Sequence, residues 1–191
     1  MGSWTGATSP SATWKASRRR LRACWYPCFT RAWSIRRSAL RRTAAGGSVW
    51  VRSLYRPEQV RSLAQGARRA VRLTLRALGV AGPAEVSVVL ADDATVRALN
   101  RTYRGQDRTT DVLAFPQDGQ AGLLGDVVIS LEQAARQARR ARHALSREVA
   151  LLAIHGTLHL LGYEDETDVG RRTMGDLQRR LLRLWAREAG R

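Results

Sequence analysis

Residues 153–166 read AIHGTLHLLGYEDE, and this run carries most of the structural information in the chain. His155 and His159 are two of the three histidines among 191 residues, and they stand four residues apart. The apolar residues around them recur at helical spacing, and a separation of four puts two side chains on one face of a helix. The spacing predicts a helix whose two imidazoles can bind the same metal ion.

A helix stop follows the histidine pair directly. Gly162 is a typical residue just beyond a helix C-terminus, and Glu164, Asp165 and Glu166 come immediately after it. A chain that reverses at Gly162 brings one of these carboxylates over the histidines and leaves a coordination position open for water. This is the layout of a catalytic metal site, although an isolated H-x3-H pair is more often a feature of packing.

The whole chain is strongly basic. It has 33 basic and 16 acidic residues, a formal net charge of +17. Every basic residue except Lys15 is arginine, which contacts phosphate in a bidentate manner. A GC-rich genome would also explain the choice of arginine over lysine, but not the sign of the charge. Nucleic acid is therefore the expected partner.

Residues 1–50 differ in composition from residues 51–191. The first segment contains no acidic residue, five of the six tryptophans and both cysteines. We interpret it as a basic extension that is disordered or belongs to a misplaced start site, with an RNA-binding arm as the alternative. No export signal or membrane span is recognisable, so we expect a protein of the reducing cytoplasm that does not contact membranes.

Residues 51–191 show alternating helix and strand patterns. Apolar residues at helical spacing, caps and β-branched runs predict an α+β domain with a small sheet packed against helices. The predicted helices run from Pro57 to near Gly79, from Asp92 or Asp93 to Tyr103, from Ser130 to Arg140, from Ser146 to Leu161, and from Asp168 to Glu188, and the predicted strands cover 85–90, 110–116 and 124–130.

Four motifs follow one another in this domain. Residues 155–165 read HGTLHLLGYED, with Met174 nine residues later, and residues 99–104 read LNRTYR. Between them stand TDVLAFP at 110–116 and LGDVVI at 124–129. In this order the motifs resemble those of the YbeY family of metal-dependent endoribonucleases, which mature ribosomal RNA in bacteria. The resemblance covers about 56–188.

The resemblance implies a zincin-like α+β fold with a mixed sheet beside the metal-bearing helix. The three histidine ligands of the family correspond to His155, His159 and the position of Asp165, and its functional arginine corresponds to Arg104. The implied cofactor is one divalent transition metal, Zn²⁺ by preference. The implied activity is single-strand-specific endoribonucleolytic cleavage in ribosomal RNA processing, with ribosomal RNA and ribosomal particles as partners.

The chain departs from the family pattern at the third ligand. Asp165 replaces a histidine, and Glu164 replaces the aspartate before it; Ala114 also stands where serine is usual. Two histidines and one carboxylate still form a competent zinc site, but the added negative charge makes the metal a weaker Lewis acid. Glu164 or Glu166 remains open as the third ligand. The alternative function is a non-catalytic RNA- or ribosome-binding factor with a degenerate site.

The catalytic candidates are Arg104 and His155. Arg104 is expected to stabilise the charge of a pentacovalent phosphate. Gly156 occupies the place of the glutamate that acts as general base in HExxH peptidases, so peptide hydrolysis is disfavoured.

Three further titratable residues receive structural interpretations. Asp126 is predicted to be a structural partner at a strand edge, or else an ordinary helix or loop contact. Glu148 is a candidate neighbour of His155, or else an ordinary helix contact. His143 lies in a basic linker and is predicted to be solvated.

Overall fold

The computed structural model describes residues 48–117 and 122–189. The predictions for the basic extension up to residue 47 lie outside the described residues and stay predictions. The described elements are, in chain order, β1 (Ser48–Ser53), α1 (Pro57–Ala77), β2 (Glu85–Ala91), α2 (Asp93–Arg104), β3 (Val112–Pro116), β4 (Leu123–Ser130), α3 (Leu131–Arg140), α4 (Leu145–Leu160) and α5 (Asp168–Ala189).

The strands form one mixed sheet in the order β1-β2-β4-β3. β1 pairs in parallel with β2, β2 pairs in parallel with β4, and β3 runs antiparallel to β4. The predicted α+β domain with a small sheet against helices is thereby confirmed. β1 was not predicted, and the expected boundary at residue 50 falls inside this strand, whose Val49 is buried in the core.

The sheet is covered on both faces. Alternate side chains of a strand point to opposite faces, so β2 contributes Val86, Val88 and Leu90 to the main core and Val89 and Ala91 to a smaller one. The main core lies against α1, α3, α4 and α5, whereas the smaller one receives a side chain from α2. This double burial explains why β2 reads as a nearly continuous apolar run.

α4 carries both candidate histidines and packs directly against the sheet. A Cβ atom at Gly156 would lie 2.5 Å from Cγ1 of Val127 in β4. The absence of a side chain at Gly156 thus allows the close approach of α4 to the sheet. Gly156 occupies the position of the HExxH glutamate. A glutamate side chain at this position would collide with β4, so the structure leaves no room there for a general base.

The Gly156→Ala variant is expected to lower the free energy of unfolding by about 1–3 kcal/mol, because an added methyl group overpacks the contact with Val127. Urea unfolding measures the change. Gly66→Ala is the matched control, since a Cβ there would meet Trp185 at an ordinary 3.5 Å. Equal stability of the two variants would contradict a tight contact at Gly156.

None of the helices in the described part of the chain combines the length and apolarity that a membrane crossing needs.

Candidate metal centre

The last turn of α4 and the loop after it bring the candidate ligands together. Gly162 has a φ of +88°, a left-handed conformation that glycine adopts without strain. Its amide donates to the carbonyl of His159 (3.0 Å), and the amide of Tyr163 donates to that of Leu158 (3.1 Å). The chain reverses at this point, as predicted, and Asp165 returns towards the histidines.

Three side chains converge on one point. The Nε2 atoms of His155 and His159 lie 3.1 Å apart, and Oδ2 of Asp165 lies 3.8 and 3.9 Å from them. Ligands of a tetrahedral zinc ion, each about 2.0–2.2 Å from the metal, are about 3.4 Å apart. Among the described side chains, neither Glu164 nor Glu166 joins this cluster.

The outer nitrogen of each histidine is held by an oxygen acceptor. Nδ1 of His159 donates to the carbonyl of Tyr163 (3.0 Å), and Nδ1 of His155 donates to Oε1 of Gln178 on α5 (3.2 Å). With the protons on Nδ1, both Nε2 atoms present lone pairs to each other. Two lone pairs at 3.1 Å repel unless a cation lies between them, and this arrangement fits metal ligands.

The site is open to solvent on the side of the carboxylate. The side chains of His155 and His159 are 24% and 29% exposed, whereas that of Asp165 is 43% exposed. Burial, and then the adjacent His155 ring, lower the pKa of His159; the charge of Arg104 acts in the same direction and that of Asp165 opposes it. His159 is therefore held in the neutral form that binds metals.

Arg104 is the last residue of α2 and is exposed. Its charge contributes to the lowered pKa of His159, where burial and His155 are the larger causes. It also lines a polar cavity of about 320 Å³, together with residues of the loop 106–111 and with Gln133 and Gln137 of α3. The predicted arginine thus borders a cavity with hydrogen-bonding walls and lies near enough to His159 for its charge to act on that ring.

The interpretation of His143 was wrong, and so was the position predicted for Asp126. His143 is not simply solvated, because its Nε2 lies 3.0 Å from Oε2 of the buried Glu148. Asp126 does not lie at a strand edge but in the middle of the inner strand β4, where it pairs with Ser87 and Phe115. For Glu148 the second interpretation, an ordinary helix contact, is the correct one, because its carboxylate contacts His143.

The Asp126→Asn variant is expected to stabilise the protein increasingly as the pH rises. Burial raises the pKa of the Asp126 carboxyl, and hydrogen bonds offset this only in part. When the pKa of a carboxyl is higher in the folded than in the unfolded protein, its contribution to stability is fully present below the unfolded-state pKa. That contribution is lost as the pH rises through the folded-state pKa. Asparagine does not ionise, so the difference in unfolding free energy between variant and wild type should grow as the pH rises from about 4, the unfolded-state pKa of aspartate, through the raised folded-state pKa. Urea unfolding across this range tests it, and a constant difference would refute it.

Two histidines of one helix and a carboxylate of the following loop are a set of side chains like those that hold the metal in metal-dependent hydrolases. The profile of the family described as Endoribonuclease YbeY matches residues 54–186. The chain therefore belongs to the endoribonuclease YbeY family.

Individual relatives agree with this assignment. The Endoribonuclease YbeY of Moorella thermoacetica is 46% identical over 126 residues, which are 60% of this chain and 81% of the relative. The Pelotomaculum thermopropionicum protein of the same name is 51% identical over 114 residues, covering 56% and 75% of the two chains. The solution structure of TM1509 from Thermotoga maritima has a TM-score of 0.52 at 25% identity and covers 74% of this chain and 91% of its own.

Proposed function

We propose that this chain is a metal-dependent endoribonuclease in which His155, His159 and Asp165 hold one divalent transition metal ion. Membership of the family makes it an endoribonuclease, a hydrolase of RNA phosphodiester bonds that acts in ribosomal RNA maturation. The observation that carries the proposed ligand set is the pair of Nε2 atoms 3.1 Å apart, each on a ring whose Nδ1 already donates to oxygen. Zinc is the proposed ion, since it favours histidine and carboxylate ligands in such small clusters.

The residues of the chain divide the chemical work. A bound ion lowers the pKa of a coordinated water towards neutrality and polarises a phosphoryl oxygen. The carbonyl of Tyr163 and the amide of Gln178 hold the protons of the two histidines on Nδ1, which keeps both Nε2 atoms directed at the metal position. Arg104 supplies a fixed positive charge for the extra negative charge that a phosphate gains when it is attacked.

The proposed substrate is single-stranded ribosomal RNA within ribosomal particles, in the cytoplasm. The net charge of +17 supports a polyanionic partner. The polar cavity next to Arg104 offers amides, hydroxyls and a carboxylate, groups that hydrogen-bond the edges of unpaired bases. Nothing in the comparisons favours the alternative of a non-catalytic binding factor.

A cleavage assay with defined metal content tests the proposal. The purified full chain is analysed for bound metals, stripped with a chelator, and assayed on a labelled single-stranded ribosomal RNA fragment before and after addition of zinc, manganese or magnesium. We expect cleavage to disappear with the metal and to return with one transition metal. The His159→Ala variant, purified identically, controls for contaminating nucleases. Cleavage by metal-free protein would refute the metal dependence, and a fully loaded protein without activity would favour the binding factor.

A further inference from the structure

Four arginines lie close together on α1. Arg68, Arg69, Arg72 and Arg76, here called the arginine cluster, line a cavity of about 310 Å³ that Glu188 of α5 also borders. Arg68, Arg72 and Arg76 follow one another at intervals of four residues, so they form one stripe along the helix. The cluster thus presents a continuous positive surface rather than scattered charges.

The positive charge of the arginine cluster is largely uncompensated. Arg76 pairs with Glu188 at 2.5 Å, but among the described residues no ion pair involves Arg68, Arg69 or Arg72. The Nε atoms of Arg68 and Arg69 are buried without a hydrogen-bond partner within the described part of the chain. Burying part of a guanidinium without an anion is unfavourable, so the surface is suited to a negatively charged ligand.

One arginine of the cluster is held in place by an aromatic ring. The guanidinium carbon of Arg69 lies 4.9 Å from the ring centroid of Trp185, within the range of a cation–π contact. Trp185 is itself fixed, because its Nε1 donates to the carbonyl of Gly66 at 3.1 Å. This support reduces the side-chain entropy that binding would remove.

The arginine cluster is separate from the metal centre. Glu188, which borders its cavity, stands ten residues after Gln178, the α5 residue that contacts His155. At 1.5 Å per residue this corresponds to about 15 Å along the axis of α5. A ligand that reaches both places must therefore be an extended polyanion.

We propose that the arginine cluster is a docking site for the phosphate backbone of RNA, at a distance from the bond that is cut. The planar guanidinium fork matches phosphate geometry, and the RNA chain that enters the metal centre is a polyanion of the required length. The inference rests on the proposed function, because it assumes that RNA reaches the centre. An acidic protein surface is the competing occupant, and the test separates the two.

The Arg68→Gln/Arg72→Gln double variant tests the docking site. It keeps the cation–π contact between Arg69 and Trp185 and the ion pair between Arg76 and Glu188. Binding to a single-stranded ribosomal RNA fragment of about 40 nucleotides is measured against salt concentration, and we expect the magnitude of the slope of log K against log salt to fall by about 1.4, or about 0.7 for each phosphate that is no longer neutralised. Cleavage of an oligonucleotide of about 3 nucleotides should not change, since at roughly 3.4 Å per nucleotide it is too short to span the about 15 Å between the arginine cluster and the metal centre.

A matched control has the same change of charge elsewhere. Arg139→Gln/Arg140→Gln removes two exposed arginines from the end of α3 and should leave most of the salt slope intact. An equal reduction in both double variants would overturn the docking site in favour of general attraction by net charge. An unchanged slope in the α1 variant would overturn it too, and would direct attention to an acidic protein.

The single variant Arg72→Gln changes only an exposed residue, so it can still test the docking site if substitution of the half-buried Arg68 prevents folding. It should reduce the slope by about 0.7, and thermal unfolding verifies that it is folded. The two hypotheses fail in different ways. If the wild type cleaves RNA but the variants bind it with the wild-type slope, only the docking site is wrong. If the slope falls but the wild type cleaves no RNA at any metal loading, only the proposed activity is wrong.

Discussion

The Asp165→Ala variant is expected to lose its metal ion and, with it, the cleavage of RNA. Asp165 is the only proposed ligand outside α4, and without it the two histidines offer a site with two ligands. Removing a group that merely supports a metal ligand already costs about 10–100-fold in affinity, so removing the ligand itself should cost more than about a hundredfold. Metal analysis after dialysis, and titration against a competing chelator, measure the effect. The side chain is 43% exposed, so the fold should survive.

Variants at the same loop make this test specific for Asp165. Glu164→Ala and Glu166→Ala remove neighbouring carboxylates and should keep the metal. Asp165→His restores the third histidine of the family motif and should keep it as well. If Asp165→Ala retains the metal and one of the glutamate variants loses it, that glutamate is the third ligand. The charge of the site then stays as proposed, but its geometry changes.

Local signals explain why the helices could be predicted. The side chain of Asp92 accepts from the amide of Thr95 (2.7 Å), and that of Ser130 accepts from the amide of Gln133 (3.1 Å). These caps lie at the predicted starts of two helices, and they select Asp92 over Asp93 as the cap of α2. Such contacts lie within a few residues of each other and are visible in the sequence. β1 has no such local signal: it is short, it follows a segment of unusual composition, and its partner β2 lies more than thirty residues later in the chain.

The three candidate ligands could also be predicted from local signals in the sequence, whereas the residues that support them could not. His155, His159 and Asp165 lie in one helix and the loop that follows it, so their proximity depends only on the helical repeat and on the reversal at Gly162. Gln178 comes from α5, and its contact with His155 depends on how two helices pack. A glutamine in an amphipathic helix carries no signal of that role. The contact between His143 and Glu148 was missed although it is local, because the turn before α4 determines its geometry.

The Arg104→Gln variant is expected to reduce kcat by about 10²–10³-fold while it retains its metal, because removal of a single fixed donor from a developing oxyanion costs about this much. The effect belongs to kcat if the arginine acts mainly on the charge that develops during the reaction. Steady-state kinetics on the single-stranded RNA fragment separate an effect on kcat from an effect on KM. The metal content, measured on the same preparation, shows whether the variant keeps its ion.

Arg101→Gln is the matched control for Arg104, since it removes the same charge one helical turn earlier on the exposed surface of α2. A general loss of RNA attraction would raise KM similarly in both variants and leave kcat unchanged. A loss of kcat confined to Arg104→Gln would identify a specific role in the reaction. If Arg104→Gln instead raises KM alone, the guanidinium positions the phosphate in the ground state, and the stabilisation of the transition state must be assigned to another group, for which Arg108, also lining the polar cavity, is the next candidate.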